Sequence, residues 1–222
     1  MILKGNDMIR KIFISIGILL GIGIIGVIVW WTVLLSAFGV FDKDYSVSEL
    51  KNNFYSREVE IRELKRYYNS IVSPNKFIEI EFENNWKLTR FGIIDYNSKT
   101  KVLDSDSVVK GLYTFLDWDI AIKTDKMDSL LNTIGWTEYN LTEIKKKLDN
   151  ANCIGIESGE PTTIHFKRSG MGMYSFVVFD KSIPDSLKNQ YNYSCRYILA
   201  GEKLVLEYGG GAVGTQCFYN LK

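Results

Sequence analysis

The sequence contains a run of 30 residues, 12–41, in which no side chain is charged: IFISIGILLGIGIIGVIVWWTVLLSAFGVF. About 20 apolar residues in an α-helix cross the hydrocarbon core of a bilayer, so this run is long enough to span a membrane. A cleaved signal peptide is the alternative, but its apolar core is only about 7–15 residues long. The sequence therefore predicts an uncleaved transmembrane helix over residues 12–41.

The charged residues that flank this run indicate its orientation. Residues 1–11 contain three cations and one anion, whereas residues 42–44 read Asp-Lys-Asp. The positive-inside bias places the more cationic end in the cytoplasm. We therefore expect a single-pass protein of a bacterial inner membrane, with residues 1–11 as a cytoplasmic tail and residues 42–222 in the periplasm.

Two glycines within the predicted span, Gly17 and Gly21, are four residues apart. Small residues at this spacing lie on one face of a helix and let two helices approach closely in lipid. This pattern raises the hypothesis of a homodimer formed through the membrane helix. Glycine is also common in membrane helices that do not pair, so the sequence leaves both alternatives open.

The charge balance bears on the class of partner. The whole chain has 27 lysines and arginines and 26 aspartates and glutamates, and the part after the apolar run carries one more anion than cations. A nucleic-acid-binding surface usually shows a basic excess. We therefore expect no nucleic acid among the partners.

An amphipathic helix is predicted over residues 46–72, within a connecting segment 42–72. Ser46 or Ser48 is suited to cap its start, and Arg57 interrupts its apolar stripe. Apolar residues recur at steps of three or four, as on one face of a helix: Leu50, Phe54, Ile61, Leu64, Tyr68 and Ile71. The segment is either a stalk that carries the domain away from the membrane or a helix packed on that domain.

Residues 77–94, FIEIEFENNWKLTRFGII, alternate apolar and polar side chains. Ile78 and Ile80 point to one side of a predicted strand, and Glu79 and Glu81 point to the other. Two successive asparagines supply a turn into a second strand. This pattern predicts a β-hairpin with one face on the core and one face in water.

The rest of the chain alternates helix and strand signals. Helices are predicted in DSDSVVKGLYTFLDW, DKMDSLLNTIGW and NLTEIKKKLDNANC, the first capped by Asp104 or Ser105 and the last by Asn140. Five short segments rich in aromatic and β-branched residues follow Cys153, as is typical of strands. We therefore predict an α+β domain, residues 73–222, with a mainly antiparallel sheet and helices on one side.

Three glycines after the last predicted strand, Gly209, Gly211 and Gly214, have the G-x-G-x-x-G spacing of a dinucleotide-binding loop. Such a loop needs a helix after it, whose N-terminal N–H groups hold the phosphates, and an acidic residue about 20 residues further on. Too few residues follow for either. We therefore expect no nucleotide and no other cofactor here, and the glycines serve a chain turn or a loop that binds a partner.

A second glycine-rich segment, RSGMGMY, begins at Arg168. A hairpin turn explains its glycines. The alternative is a surface loop that presents Met171 and Met173 to a protein partner, because methionine adapts to varied apolar surfaces. If both glycine-rich loops lie at one end of the sheet, they form one recognition edge.

The three cysteines, Cys153, Cys195 and Cys217, all lie in the part predicted to be outside the cytoplasm, where disulfides form. Cys195 and Cys217 flank the last predicted hairpin, so we favour a bridge between them. Three buried free thiols remain the alternative.

His165, the single histidine of the chain, alternates with apolar neighbours on a predicted strand, so we expect it on the solvent face. One histidine and widely separated cysteines do not give zinc-site spacing, so we expect no metal ion. Glu157 and Glu160 flank a turn and would serve either as paired acids or as solvated turn residues. A cysteine paired with His165 remains the outlying enzymatic hypothesis, and we expect the protein not to be an enzyme.

Three C-terminal segments, RSGMGMYSFVVFD, IPDSLKNQYNYSC and LVLEYGGGAVGTQCF, resemble small, mostly uncharacterised envelope proteins of Bacteroidota. Some proteins of that kind protect the periplasm against toxins delivered by neighbouring cells. The resemblance implies a membrane-anchored module that binds a protein, such as an immunity protein. The alternative is a structural or assembly subunit of an envelope complex.

Overall fold

The computed structural model of the protein describes residues 3–37, 42–97, 114–170, 172–192, 195–209 and 216–218. The chain forms two compact units, Met1–Lys43 and Asp44–Lys222. The second unit therefore includes the whole of the amphipathic segment 46–72.

The first unit contains one long helix, α1 (Leu3–Ala37). Its stretch Phe13–Ser36 has a mean hydropathy of 2.6 and is long and apolar enough to cross a membrane. Gly17 and Gly21 lie on α1 with no atom within 4 Å of the place a Cβ would take. The last residues of the predicted span, 38–41, lie outside the described residues.

The amphipathic segment forms two helices, α2 (Val47–Ser56) and α3 (Glu58–Ile71). The backbone of Arg57 leaves the helical region between them, at φ −131° and ψ 27°. Ser46 caps α2 as predicted, in a capping box with Glu49. The apolar stripe of both helices is buried in the core of the second unit, so the segment packs on the domain and is not a stalk.

Within the described residues, eight strands form one antiparallel sheet, which confirms the α+β class. Their bounds are β1 Lys76–Asn84, β2 Lys87–Asp95, β3 Phe115–Ala121, β4 Gly155–Glu157, β5 Thr162–Ser169, β6 Gly172–Val178, β7 Tyr197–Gly201 and β8 Leu204–Gly209. Their order across the sheet is β3-β2-β1-β4-β5-β6-β8-β7, and the predicted hairpin is β1–β2.

Three further helices are α4 (Asp125–Ile134), α5 (Glu138–Asn150) and α6 (Asp185–Asn192). The helix α5 begins one turn earlier than predicted. Thr137 is its N-cap, and Asn140 is its third helical residue, whose side chain completes the capping box. The helix predicted over residues 104–118 is wrong at its C-terminal end, where the chain forms β3. The rest of that prediction, up to residue 113, lies outside the described residues.

The two faces of the sheet are covered differently. Helices α2 to α5 pack on one face and enclose the main apolar core. On the other face, α6 covers only a small cluster around Val177 and Val205. The remaining part of this second face carries charged side chains from β1, β2, β4, β5 and β8.

A disulfide joins Cys195 to Cys217 and holds residues 216–218 beside the sheet. The ring of Phe218 lies 5.9 Å from that of Tyr174 and 5.8 Å from that of Tyr208. Cys153 is free and buried. Its thiol donates to the carbonyl oxygen of Ala151, and burial raises its pKa to about 12.

Candidate functional site: the charged face of the sheet

Four glutamates and three arginines meet on the second face of the sheet. We call this surface, together with His165, the charged face: Glu79, Glu81, Glu157, Glu207, Arg90, Arg168, Arg196 and His165. The sequence predicts that the glutamates of β1 are solvated, but Glu79 is only 5% exposed and Glu81 only 2% exposed. The prediction of a wet face is wrong here because long side chains from the neighbouring strands lie across the sheet.

Arginines neutralise the buried carboxylates. The guanidinium group of Arg168 donates two hydrogen bonds of 2.6 Å to Glu81, one to each carboxylate oxygen. The Nε atom of Arg90 lies 3.0 Å from Oε1 of Glu79. Arg196 pairs with Glu207 through its Nε and Nη2 atoms, which both donate to the same carboxylate oxygen, Oε1. The bidentate pairing of Arg168 with Glu81 fixes the orientation of both side chains.

His165 lies at the centre of the charged face and is 7% exposed. Its Nδ1 atom is 3.0 Å from the hydroxyl oxygen of Ser175, and its Nε2 atom is 3.2 Å from Oε1 of Glu157. Burial by itself lowers the pKa of His165, but the bond to Glu157 and the charges of the two β1 glutamates outweigh it. The pKa is therefore raised above its usual value. The expectation that this ring faces solvent is wrong.

Two glycines make room for these side chains. A Cβ at Gly155 would lie 2.9 Å from Cδ2 of His165 and 2.7 Å from the carbonyl oxygen of Ile80. A Cβ at Gly209 would lie 2.8 Å from Nε of Arg196. At Gly155 a side chain would press against backbone as well as the imidazole, so glycine is favoured there, whereas at Gly209 the flexible Arg196 side chain would have to move.

The charged face surrounds a cavity of about 180 Å³. Its lining includes Thr163, Met173 and Ser175 in addition to the charged residues. At the edge of this region, the guanidinium carbon of Arg90 lies 4.7 Å from the centre of the Trp118 ring, and Trp118 is 47% exposed. Buried titratable groups around a concave surface are typical of binding and catalytic sites.

The structure brings together some of the residues that the glycine-rich motifs suggested. Met173 and Gly209 are partners in the β6–β8 register, so the two motifs meet at one end of the sheet, and Arg168 lies beside them. Met173 is a buried strand residue and does not lie on an exposed loop, contrary to the prediction. Met171, Gly211 and Gly214 lie outside the described residues.

Glu157 and Glu160, which the sequence suggested as paired acids, contact different partners. Glu157 faces His165, whereas Glu160 accepts a 2.5 Å hydrogen bond from Lys65, a buried residue of α3. Sequence analysis missed the glutamates of β1 as site residues. The signal was present in the alternation of β1, which places Glu79 and Glu81 on the face that His165 also occupies.

The order of contacts Ser175–His165–Glu157 resembles that of a nucleophile, base and acid. Ser175 is only 3% exposed and lies in the middle of β6, with His165 opposite it on one side and Glu207 on the other. Its hydroxyl group contacts the His165 ring and is buried, so it is not presented as an exposed nucleophile. Both ring nitrogens of His165 have these partners, so the described contacts give no support to the Cys–His hypothesis.

A larger cavity of about 580 Å³ lies between the β1–β2 turn and α5. Its most prominent side chain is the exposed Trp86, whose ring centre lies 5.1 Å from Nζ of Lys123. The residues that line it are mostly solvated, and it contains no buried ionisable group comparable with His165 among the described residues. We therefore regard the charged face as the better candidate for a functional site.

Comparisons with known proteins do not assign the chain to a group. No protein-family model matches it. No curated protein matches it, and no solved structure matches it.

Proposed function

We propose that the chain is a single-pass membrane protein whose domain lies outside the cytoplasm and binds a protein partner with its charged face. The flanking charges support an N-terminus in the cytoplasm of a bacterial cell. The disulfide between Cys195 and Cys217 supports an oxidising compartment for the domain, because cytosolic proteins rarely keep such bridges.

The observation that carries the proposal is the charged face itself. It combines half-buried arginines with the exposed Trp118, and arginine and tryptophan are enriched among the residues that dominate protein–protein binding. Its fixed pattern of carboxylates and guanidinium groups selects a partner of complementary charge. The burial of Ser175 favours binding over catalysis.

We infer that the partner is a toxin delivered by a neighbouring cell, which makes the protein an immunity-type inhibitor. The resemblance of the C-terminal segments to envelope proteins supports this assignment. An anchored inhibitor is held where an incoming toxin first arrives.

A photo-crosslinking amino acid at position 118 tests this function in intact cells that grow beside isotope-labelled competitor cells. We expect an adduct with a labelled protein from the competitor. The matched control is the same substitution at Trp86, which is exposed at the β1–β2 turn and should give no such adduct. Adducts at position 118 with unlabelled membrane proteins alone would contradict the inhibitor assignment.

The second candidate is a structural or assembly subunit of an envelope complex. The uncovered glycines Gly17 and Gly21 on α1 favour it, because they leave one helix face open to close packing. The double substitution Gly17→Leu and Gly21→Leu should release the protein from a larger complex in native gels of detergent extracts. An inhibitor of a soluble toxin should retain its binding with these substitutions.

A further inference from the structure

Three potential metal ligands from three strands meet on the charged face. One ligand atom each from Glu79, Glu157 and His165 lies within 4.8 Å of the other two. Glu79 and Glu157 are direct cross-strand partners of β1 and β4. Two like charges in such positions destabilise a sheet. In the metal-free protein Arg90 pairs with Glu79 and His165 contacts Glu157, and a metal ion bound between the two carboxylates would offset both charges at once.

Outer contacts already orient these groups. The contact of Nδ1 of His165 with Ser175 leaves Nε2 directed at Glu157, and Arg90 holds one oxygen of Glu79. Hydrogen bonds that fix the ring and the carboxylates of the ligands are characteristic of metal sites in proteins. Gly155 adds a steric constraint, because the imidazole lies against the position that a Cβ would take there.

Space and charge are compatible with an ion. The cavity of about 180 Å³ is bounded by all three groups, and a water molecule occupies only about 30 Å³ in the liquid. The charged face contains four carboxylates and three guanidinium groups, so it is net negative once His165 has lost its proton, as metal binding requires. A divalent cation therefore meets a net negative charge.

We propose that Glu79, Glu157 and His165 form a binding site for a divalent transition metal ion, of which Zn²⁺ fits best. Zinc binds one imidazole nitrogen and carboxylate oxygens at about 2.0–2.2 Å, which needs the glutamate side chains to close by about 1 Å. Because all three residues line the cavity, a water molecule or a donor atom of the bound partner would complete the coordination from there. The site does not depend on the identity of that partner.

The test uses the full-length protein in detergent, treated with EDTA and then titrated with Zn²⁺ in a calorimeter. We expect one saturable site per chain at micromolar or lower concentration, and at least a tenfold weaker affinity in Glu79→Gln, Glu157→Gln and His165→Gln. Glu83→Gln is the matched control, because Glu83 lies on β1 beside Lys87 and outside the cavity. Its affinity should equal that of the wild type.

X-ray absorption at the zinc edge gives a second measurement that needs no variant. We expect one imidazole nitrogen and otherwise oxygen ligands. Sulfur in the first coordination shell, no saturable binding, or equal affinity in all variants would each overturn the proposal. Circular dichroism of each variant in EDTA separates the loss of a ligand from the loss of the fold.

Discussion

Removal of the Cys195–Cys217 disulfide should destabilise the domain mainly through its unfolded state. The two cysteines are 22 residues apart in the sequence. Closing a loop of this length removes chain entropy worth about 3 kcal/mol at room temperature. The folded contacts near the bridge should survive, because Phe218 donates a backbone hydrogen bond to the carbonyl oxygen of Cys195 and packs against two tyrosines.

The perturbation is the double substitution Cys195→Ser and Cys217→Ser, which leaves no unpaired thiol at the site. The assay is urea unfolding of the full-length protein in detergent, followed by the fluorescence of tryptophans such as Trp136, which is 3% exposed. With a urea slope of about 2 kcal/mol/M, a loss of about 3 kcal/mol lowers the midpoint by about 1.5 M. Reduction of the wild type should produce the same change.

Cys153→Ala is the matched control. This cysteine is buried and free, so its substitution should cost about 1 kcal/mol through lost packing. The variant should still lose stability when reduced, by the same amount as the wild type. If the double serine variant unfolds at the wild-type midpoint, the argument from loop closure is refuted.

Three further predictions concern the packing of the domain. Lys65→Met should destabilise the domain by about 1–3 kcal/mol in urea, because it removes a buried ammonium group with charged partners. Lys65 lowers the pKa of Asp180 in the folded protein. The stabilisation from this pair is therefore present above the unfolded pKa of about 3.9 and is lost as the pH falls through the lower folded pKa. The difference in unfolding free energy between wild type and Lys65→Met should therefore become smaller in urea curves measured at low pH. Gly135→Ala should cost about 1 kcal/mol in thermal unfolding, since Gly135 ends α4 at φ +76°. Gly155→Ala should lower the free energy of unfolding by about 1–3 kcal/mol and shift the NMR signals of the His165 ring. Unchanged ring signals in this variant would contradict the prediction.

Elements with strong local signals were predictable from the sequence. The capping box at Ser46, the apolar stripe of α2 and α3, and the alternation of β1 all depend on neighbours within a few residues. The strand β3 was mistaken for a helix because Phe115 and Leu116 fit a helical stripe. Its conformation is determined by pairing with β2, about 20 residues away in the chain, which local spacing does not reveal.

The charged face was not predictable in the same way. The alternation of β1 showed correctly which residues share a face, but not that this face is covered. The partner of Glu81 is Arg168, 87 residues further along the chain. Burial of a carboxylate depends on such a distant partner, because an unpaired charge is too costly to remove from water.

The burial of Cys153 has a consequence for how the chain matures. If the domain matures in an oxidising compartment, as proposed above, its three cysteines can form two wrong bridges for each correct one. Once the core encloses the Cys153 thiol, its pKa of about 12 leaves almost no thiolate to attack a disulfide. Mispairing is therefore confined to the interval before that part of the core closes, and conditions that delay closure should increase the yield of scrambled protein.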